Sequence, residues 1–172
     1  MDTTIQLVIP GIPKPGGSKT AFARMGKNGK PFASVVDSSG QAGKDWRASV
    51  AHAAHEAMKG RPLIAGPVKF TAAFYMPRPK AHYRTGKKAH MLREDAPIYH
   101  IKKPDHTKLV RPVEDALTGI VWNDDTQVCV TGEGLKVYSD KPKAVLTIEI
   151  LDPDEDGRHA LALQALTQEI PS

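Results

Sequence analysis

The run from Gly66 to Met76 sets Val68, Phe70, Ala72 and Phe74 at every second position and stops at Pro77. Period two is the side-chain period of a strand, so one face of this segment has to be buried against other elements. Ile5, Leu7 and Ile9 repeat the pattern before Pro10, and from Lys143 to Leu151 the residues Ala144, Leu146, Ile148 and Ile150 alternate with Val145, Thr147 and Glu149. A sheet with one apolar face needs a cover, and two stripes at helical spacing supply it. The first runs from Gln41 to Lys59 through Trp46, Val50, Ala53 or Ala54, Ala57 and Met58, with Ser38 and Ser39 as caps and Gly60-Arg61-Pro62 as a stop. The second is Leu109, Val113, Ala116, Leu117 and Ile120, with Gly119 as its end.

Pro112 lies in that second stripe, and an interior proline costs a helix one hydrogen bond. Regular helix is therefore expected from near Arg111, with residues 105 to 110 as a looser turn. A strand from Gln127 to Thr131 follows, and Gly132-Glu133-Gly134 together with Ser139 to Pro142 predicts a hairpin joining it to the last strand. The expected fold is α/β in the α+β sense: a single domain with a small mixed sheet of about four strands and two main helices, in the order β-α-β-α-β-β. The chain has 172 residues, which suits one domain over 1–151 and an acidic tail over 152–172. Leu161, Leu163, Ala165, Leu166 and Ile170 outline a short helix in that tail.

No apolar run approaches the roughly 18 residues of a membrane span, and Met1 to Ile5 lacks the order of a secretory signal. Cys129 is the single cysteine, which rules out an internal disulfide and a cysteine-based zinc cluster. A soluble cytoplasmic protein is expected. The net charge of +5 understates how basic the main part is, because the tail sets Asp152, Asp154, Glu155, Asp156 and Glu169 against Arg158 alone. Lys14, Lys19, Arg24, Lys27 and Lys30 follow one another with no acid between them. Arg78, Lys80, Arg84, Lys87, Lys88, Arg93, Lys102 and Lys103 face only Glu94 and Asp95. Basic loops of this kind attract phosphate backbones through counterion release. The long loop from 78 to 103 is expected to order on nucleic acid, with Tyr83 and Tyr99 available to stack on unpaired bases. His52 and His55 have metal-ligand spacing but no third partner, and read as surface or packing residues.

Among these bases sits an acidic centre. Asp105 precedes the second helix, Glu114 and Asp115 lie on its polar face, and Asp124 and Asp125 follow it. The two ends of a short helix could bring Asp105 and Asp125 to one volume, and hard cations such as Mg²⁺ take oxygen ligands while bridging to phosphate.

Pro104-Asp105-His106-Thr107-Lys108-Leu109-Val110-Arg111, Asp115-Ala116-Leu117-Thr118-Gly119 and Trp122-Asn123-Asp124-Asp125-Thr126-Gln127-Val128 resemble the motifs of the RusA-type Holliday junction resolvases. The resemblance covers about residues 4 to 151. It implies a homodimeric, Mg²⁺-dependent DNA endonuclease of the kind phages and prophages encode, with Mn²⁺ as a substitute ion and branched DNA, the four-way junction, as partner. Position by position, Asp105 and Asp125 match metal-binding aspartates, and Arg111 stands where a catalytic lysine is expected. The second aspartate of the Pro-Asp-x-Asp pattern is Thr107 here and the following asparagine is Lys108, so ligation shifts to water, Asp124, Asp115 or the Thr107 hydroxyl. Guanidinium stays protonated, which makes Arg111 a phosphate clamp rather than a proton donor. Lys14, Lys19, Lys102, Lys103 and Lys108 are the expected DNA contacts. The alternatives are a non-catalytic binder of branched or single-stranded DNA, a nuclease acting on flaps or forks, and a protein-interaction module using the acidic tail.

Overall fold

The computed structural model describes residues 3–17, 19–25, 27–37 and 39–152, with positions 154, 157, 158 and 161 beyond them; from 19 to 24 and from 32 to 37 the backbone alone is described. The helix expected in the tail lies outside the described residues.

Among the described residues seven strands and two α-helices make a mixed α+β domain: β1 (Thr4–Pro10), β2 (Lys19–Met25), β3 (Pro31–Asp37), α1 (Gly40–Ala57), β4 (Val68–Pro77), α2 (His106–Leu117), β5 (Val128–Thr131), β6 (Leu135–Ser139) and β7 (Lys143–Ile150). β7 lies between β1 and β4 and is antiparallel to both. The register lines up the alternating apolar residues in rows: Ile5, Ile148 and Phe70; Leu7, Leu146 and Ala72; Ile9, Ala144 and Phe74. All nine are buried, and they join one cluster with Trp46, Val50 and Ala54 of α1 and Leu109, Val113 and Leu117 of α2. Fully burying one such leucine or phenylalanine is worth about 1.5–3 kcal/mol. The Lys69–Glu149 ion pair on the opposite face, 3.1 Å long and more than a third exposed at each end, adds at most about 1 kcal/mol. The apolar rows therefore hold the sheet to its helices.

The order of elements departs from expectation in three places. First, residues 19 to 37 form an antiparallel hairpin, β2–β3, around a turn in which Gly29 has φ +73° and the Lys30 N–H donates to the Asn28 side-chain oxygen. Second, β5 and β7 make no hairpin, because β4 lies between them. β5 and β6 both run parallel to β4 and lie end to end along its outer edge, Val68–Phe70 pairing with β5 and Ala73–Pro77 with β6. The main sheet accordingly has five strands, close to the about four expected, and it is mixed as expected. The chain leaving β5 stays on the same edge: Gly132 N–H still donates to the Phe70 carbonyl at 2.9 Å, and Glu133-Gly134 then pass Thr71 and Ala72, which belong to neither pairing, before β6 begins opposite Ala73.

Third, α2 begins at His106, a full turn before Arg111, with Pro112 in its interior. The missing Pro112 N–H leaves the Lys108 carbonyl without its helical donor. Gly16, in the loop between β1 and β2, donates its backbone N–H to that oxygen at 2.9 Å. A Cβ at Gly16 would meet the Pro112 ring at 3.4 Å, ordinary van der Waals contact, so the loop packs on that ring without overlap. A borrowed donor keeps the helix continuous.

The loop from 78 to 103 follows a path marked by backbone hydrogen bonds. Arg84 N–H donates to the Met91 carbonyl at 2.9 Å, Arg93 N–H to the His82 carbonyl at 2.9 Å, and His100 N–H to Lys136 of β6 at 3.0 Å. The Tyr83 hydroxyl donates to the Asp140 carboxylate, so this ring anchors the loop, whereas Tyr99 stays 64% exposed. Tyr83 is held above its ordinary pKa by that bond. Among the described residues no helix is long and apolar enough to cross a membrane.

Candidate active-site cleft

A cleft of about 780 Å³ opens where β5 and β6 part along the edge of β4. Its floor is Phe70 and Ala72, one wall is Thr131, Gly132 and Gly134, and the other is α2 through His106, Thr107, Val110, Arg111 and Glu114. Thr107, Arg111 and Glu114 stand four and three residues apart, so they share one face of the helix while Leu109, Val113 and Leu117 are buried on the other. The glycines of the opposite wall are required there. A Cβ on Gly134 would overlap the His106 ring, and one on Gly132 would overlap the Thr71 hydroxyl. His106 also meets Phe74 edge to face, with ring centroids 5.4 Å apart.

Asp125 enters the cleft from the turn after α2. That turn is built by its neighbours. Asp124 accepts the Thr126 N–H at 2.9 Å, and the Gln127 side-chain oxygen accepts the N–H groups of Asn123 at 2.8 Å and Asp124 at 3.1 Å, a reciprocal capping box. The Gln127 amide then donates to the carbonyls of Ile64 at 2.8 Å and Gly66 at 2.9 Å, pinning the turn to the chain that enters β4. Asp124 is thus occupied as a cap, its pKa lowered chiefly by Thr126, and it is not among the residues lining the cleft. Below the turn, Trp122 is fully buried against Phe70, and its indole N–H donates to the Thr118 hydroxyl at 3.2 Å.

Asp105 sits at the N-cap position of α2 but makes no side-chain cap. Lys108 donates to its carboxylate at 3.1 Å and holds its pKa below the ordinary value, with smaller help from Lys136 and Lys103. The Lys136 ammonium donates to the carbonyls of Lys102 at 2.9 Å and Pro104 at 2.7 Å, which straps the approach to Asp105 onto β6. The cleft therefore brings together Asp125, Arg111 and Thr107. Asp105, Asp115 and Lys108 lie outside its lining. Lys102 and Lys103 are exposed near its entrance strap, Lys14 is half-buried in the loop that caps α2, and the side chain of Lys19 is outside the described residues.

Glu114 is the site residue that reading by motif passes over. It is half-buried, and burial first, then the charges of Asp125 and Asp115, raise its pKa above the usual carboxylate value. Its spacing from Thr107 and Arg111 was the available signal. Gln127 lies within the Trp122–Val128 motif, but its partners at Ile64 and Gly66, like the Lys102 carbonyl that Lys136 meets, are set by the tertiary fold.

Among the described residues no three or more His, Cys, Asp or Glu side chains are grouped to hold an ion, and His52 and His55 are both exposed. Two acids, Glu114 and Asp125, and two threonines, Thr107 and Thr131, line this cleft. Mg²⁺ is commonly held by one or two carboxylates with waters and substrate phosphate completing the shell, so this donor set suits such an ion.

Residues 14–149 match the family model described as endodeoxyribonuclease RusA. An uncharacterized protein of Bacillus subtilis (strain 168), YqaN, is 34% identical over 86 residues, a match covering 50% of this chain and 59% of that relative. The chain thus spans under two thirds of the relative's length. With the family match running from the loop that caps α2 to the end of β7 and enclosing the whole cleft, this chain belongs to the RusA endodeoxyribonuclease family.

Proposed function

We propose that this protein is a divalent-cation-dependent endonuclease that cuts branched DNA, the Holliday junction foremost, by phosphodiester hydrolysis. The observation carrying this reading is the cleft itself, in which Asp125 and Glu114 face Thr107 and the exposed Arg111. Asp125, with the Thr107 hydroxyl, would hold Mg²⁺ or Mn²⁺. Such an ion, when bound, polarises the scissile phosphate and lowers the pKa of an attacking water. Arg111 makes no ion pair among the described residues and offers a planar fork of donors to a phosphate oxygen. Asp105 joins the ion only by exchanging Lys108 for it, and Asp124 serves by holding the turn that carries Asp125. Asp115 acts on the site through its charge on Glu114. Lys14, Lys19, Lys102, Lys103 and Lys108 supply positive charge along the DNA path.

A four-way junction has two symmetry-related strands to cut, and a two-fold homodimer presents two such sites. Specificity then rests on junction shape and phosphate placement more than on base reading. The setting we propose is DNA recombination or repair in a bacterial cytoplasm, with a phage or prophage origin for the gene. Thr107, standing where the family pattern has a carboxylate, favours a second reading, a non-catalytic binder of branched or single-stranded DNA. Incubating the purified protein with synthetic four-way, flap, single-stranded and duplex DNA in Mg²⁺, Mn²⁺ or EDTA separates the two. Metal-dependent, paired nicks in the junction support the nuclease. Tight junction binding without product in any metal supports the binder. An Asp125→Asn variant should keep binding and lose cleavage.

A further inference from the structure

We propose that Glu114 is a metal ligand of this cleft, working with Asp125 in place of the carboxylate that the Pro-Asp-x-Asp pattern sets at position 107. The inference rests on the nuclease reading above and names the residue that makes a site lacking that aspartate workable.

Three observations carry it. Glu114 lines the cleft on the same helical face as Thr107, two turns further along α2, and side chains on a helix lean back toward its N-terminus. Its carboxylate therefore reaches back over the Arg111 turn. Among the described residues it takes part in no hydrogen bond or ion pair, although it is half-buried. The charges that act on it are those of Asp125 and Asp115, both of its own sign. A carboxylate meant only to solubilise α2 would face solvent, as Asp115 does. A half-buried acid with only like charges beside it is unfavourable until a cation joins them. Arg111 lies in the same cleft but is exposed, and among the described residues it makes no ion pair with Glu114.

Mn²⁺ serves as the probe, titrated calorimetrically into the full-length protein without DNA, alongside melting temperature and junction cleavage. Glu114→Gln preserves size and should bind Mn²⁺ at least ~10-fold more weakly than the wild type, the scale expected when a group acting on a metal is lost. Its melting temperature without metal should equal or exceed the wild-type value. Adding Thr107→Asp to Glu114→Gln should recover most of the lost Mn²⁺ affinity, a rescue that a merely structural glutamate would not allow. Wild-type binding and cleavage matched by Glu114→Gln overturns this inference and leaves the nuclease standing. A melting temperature lowered by Glu114→Gln with Mn²⁺ affinity intact overturns it as well. Failure of Thr107→Asp to restore affinity overturns the claim that one carboxylate replaces the other. Absence of both Mn²⁺ binding and cleavage in the wild type overturns the proposed function and this inference together.

Discussion

Replacing Gln127 by alanine should loosen the turn that carries Asp125 without touching any residue of the cleft wall. The side chain makes four hydrogen bonds: it accepts from Asn123 and Asp124 and donates to Ile64 and Gly66. The two N–H groups lie in an exposed turn and water can replace their partner, so they contribute little. The two partly buried bonds to carbonyls are worth about 1 kcal/mol each, giving a loss of about 2 kcal/mol. For a chain of this length that corresponds to a drop of about 4–8 °C in melting temperature. Differential scanning calorimetry measures it. Gln127→Glu sharpens the test, since a carboxylate keeps the acceptor side yet sets a negative oxygen against two carbonyls 2.8 and 2.9 Å away. At neutral pH this variant should melt below Gln127→Ala, and mild acid should narrow the gap by returning one donor. Below both melting temperatures, Mn²⁺ affinity should fall in each, because Asp125 has lost its brace. A Gln127→Ala protein that melts with the wild type, or a Gln127→Glu protein more stable than it at pH 7, refutes the reasoning.

Gly134→Ala should cost about 1–3 kcal/mol, the usual penalty of overpacking, because the new methyl overlaps the His106 ring; chemical denaturation reads the loss directly. Arg111→Ala should weaken junction binding evenly across sequences and lower the slope of log affinity against log salt by about 1, with an unchanged slope removing Arg111 from the phosphate path. His100 is buried, and burial, then Lys136, holds its pKa below the usual 6.5. The unfolded chain therefore takes up a proton first as pH falls past 6.5, so the stability tied to neutral His100 is present above that pH and drains away below it. Melting temperatures from pH 7 to 5 should decline less steeply in His100→Gln, and parallel profiles would count against this role.

Strands whose faces differ in polarity were legible, and so was the helix with a full apolar stripe. Ile5 to Ile9, Val68 to Met76 and Lys143 to Ile150 alternate because only one face of each is fully buried, and α1 spans the segment its stripe predicts. The β2–β3 hairpin announced itself only through Asn28-Gly29, a turn signal easily lost among lysines. β5 and β6 are short, and no local pattern says whether a strand after Gly134 returns alongside its predecessor or continues along the same neighbour. The start of α2 is hidden from the sequence because proline's missing donor is a local fact, while its remedy comes from Gly16, nearly a hundred residues earlier in the chain. Of the residues the motifs single out, Asp125, Arg111 and Thr107 line the cleft, whereas Asp105 and Asp124 do not. Glu114 was visible as a helix residue, but its half-burial and its nearness to Asp125 belong to the folded arrangement.

Gly16 lies in a stretch without regular structure, yet its amide completes a helix more than ninety positions downstream. An ordinary loop amide trades its hydrogen for deuterium through small local openings, whereas this one can do so only when the turn around Pro112 lets go. In an exchange experiment Gly16 should keep time with the middle of α2 rather than with its own neighbours, a slow clock set in a fast segment.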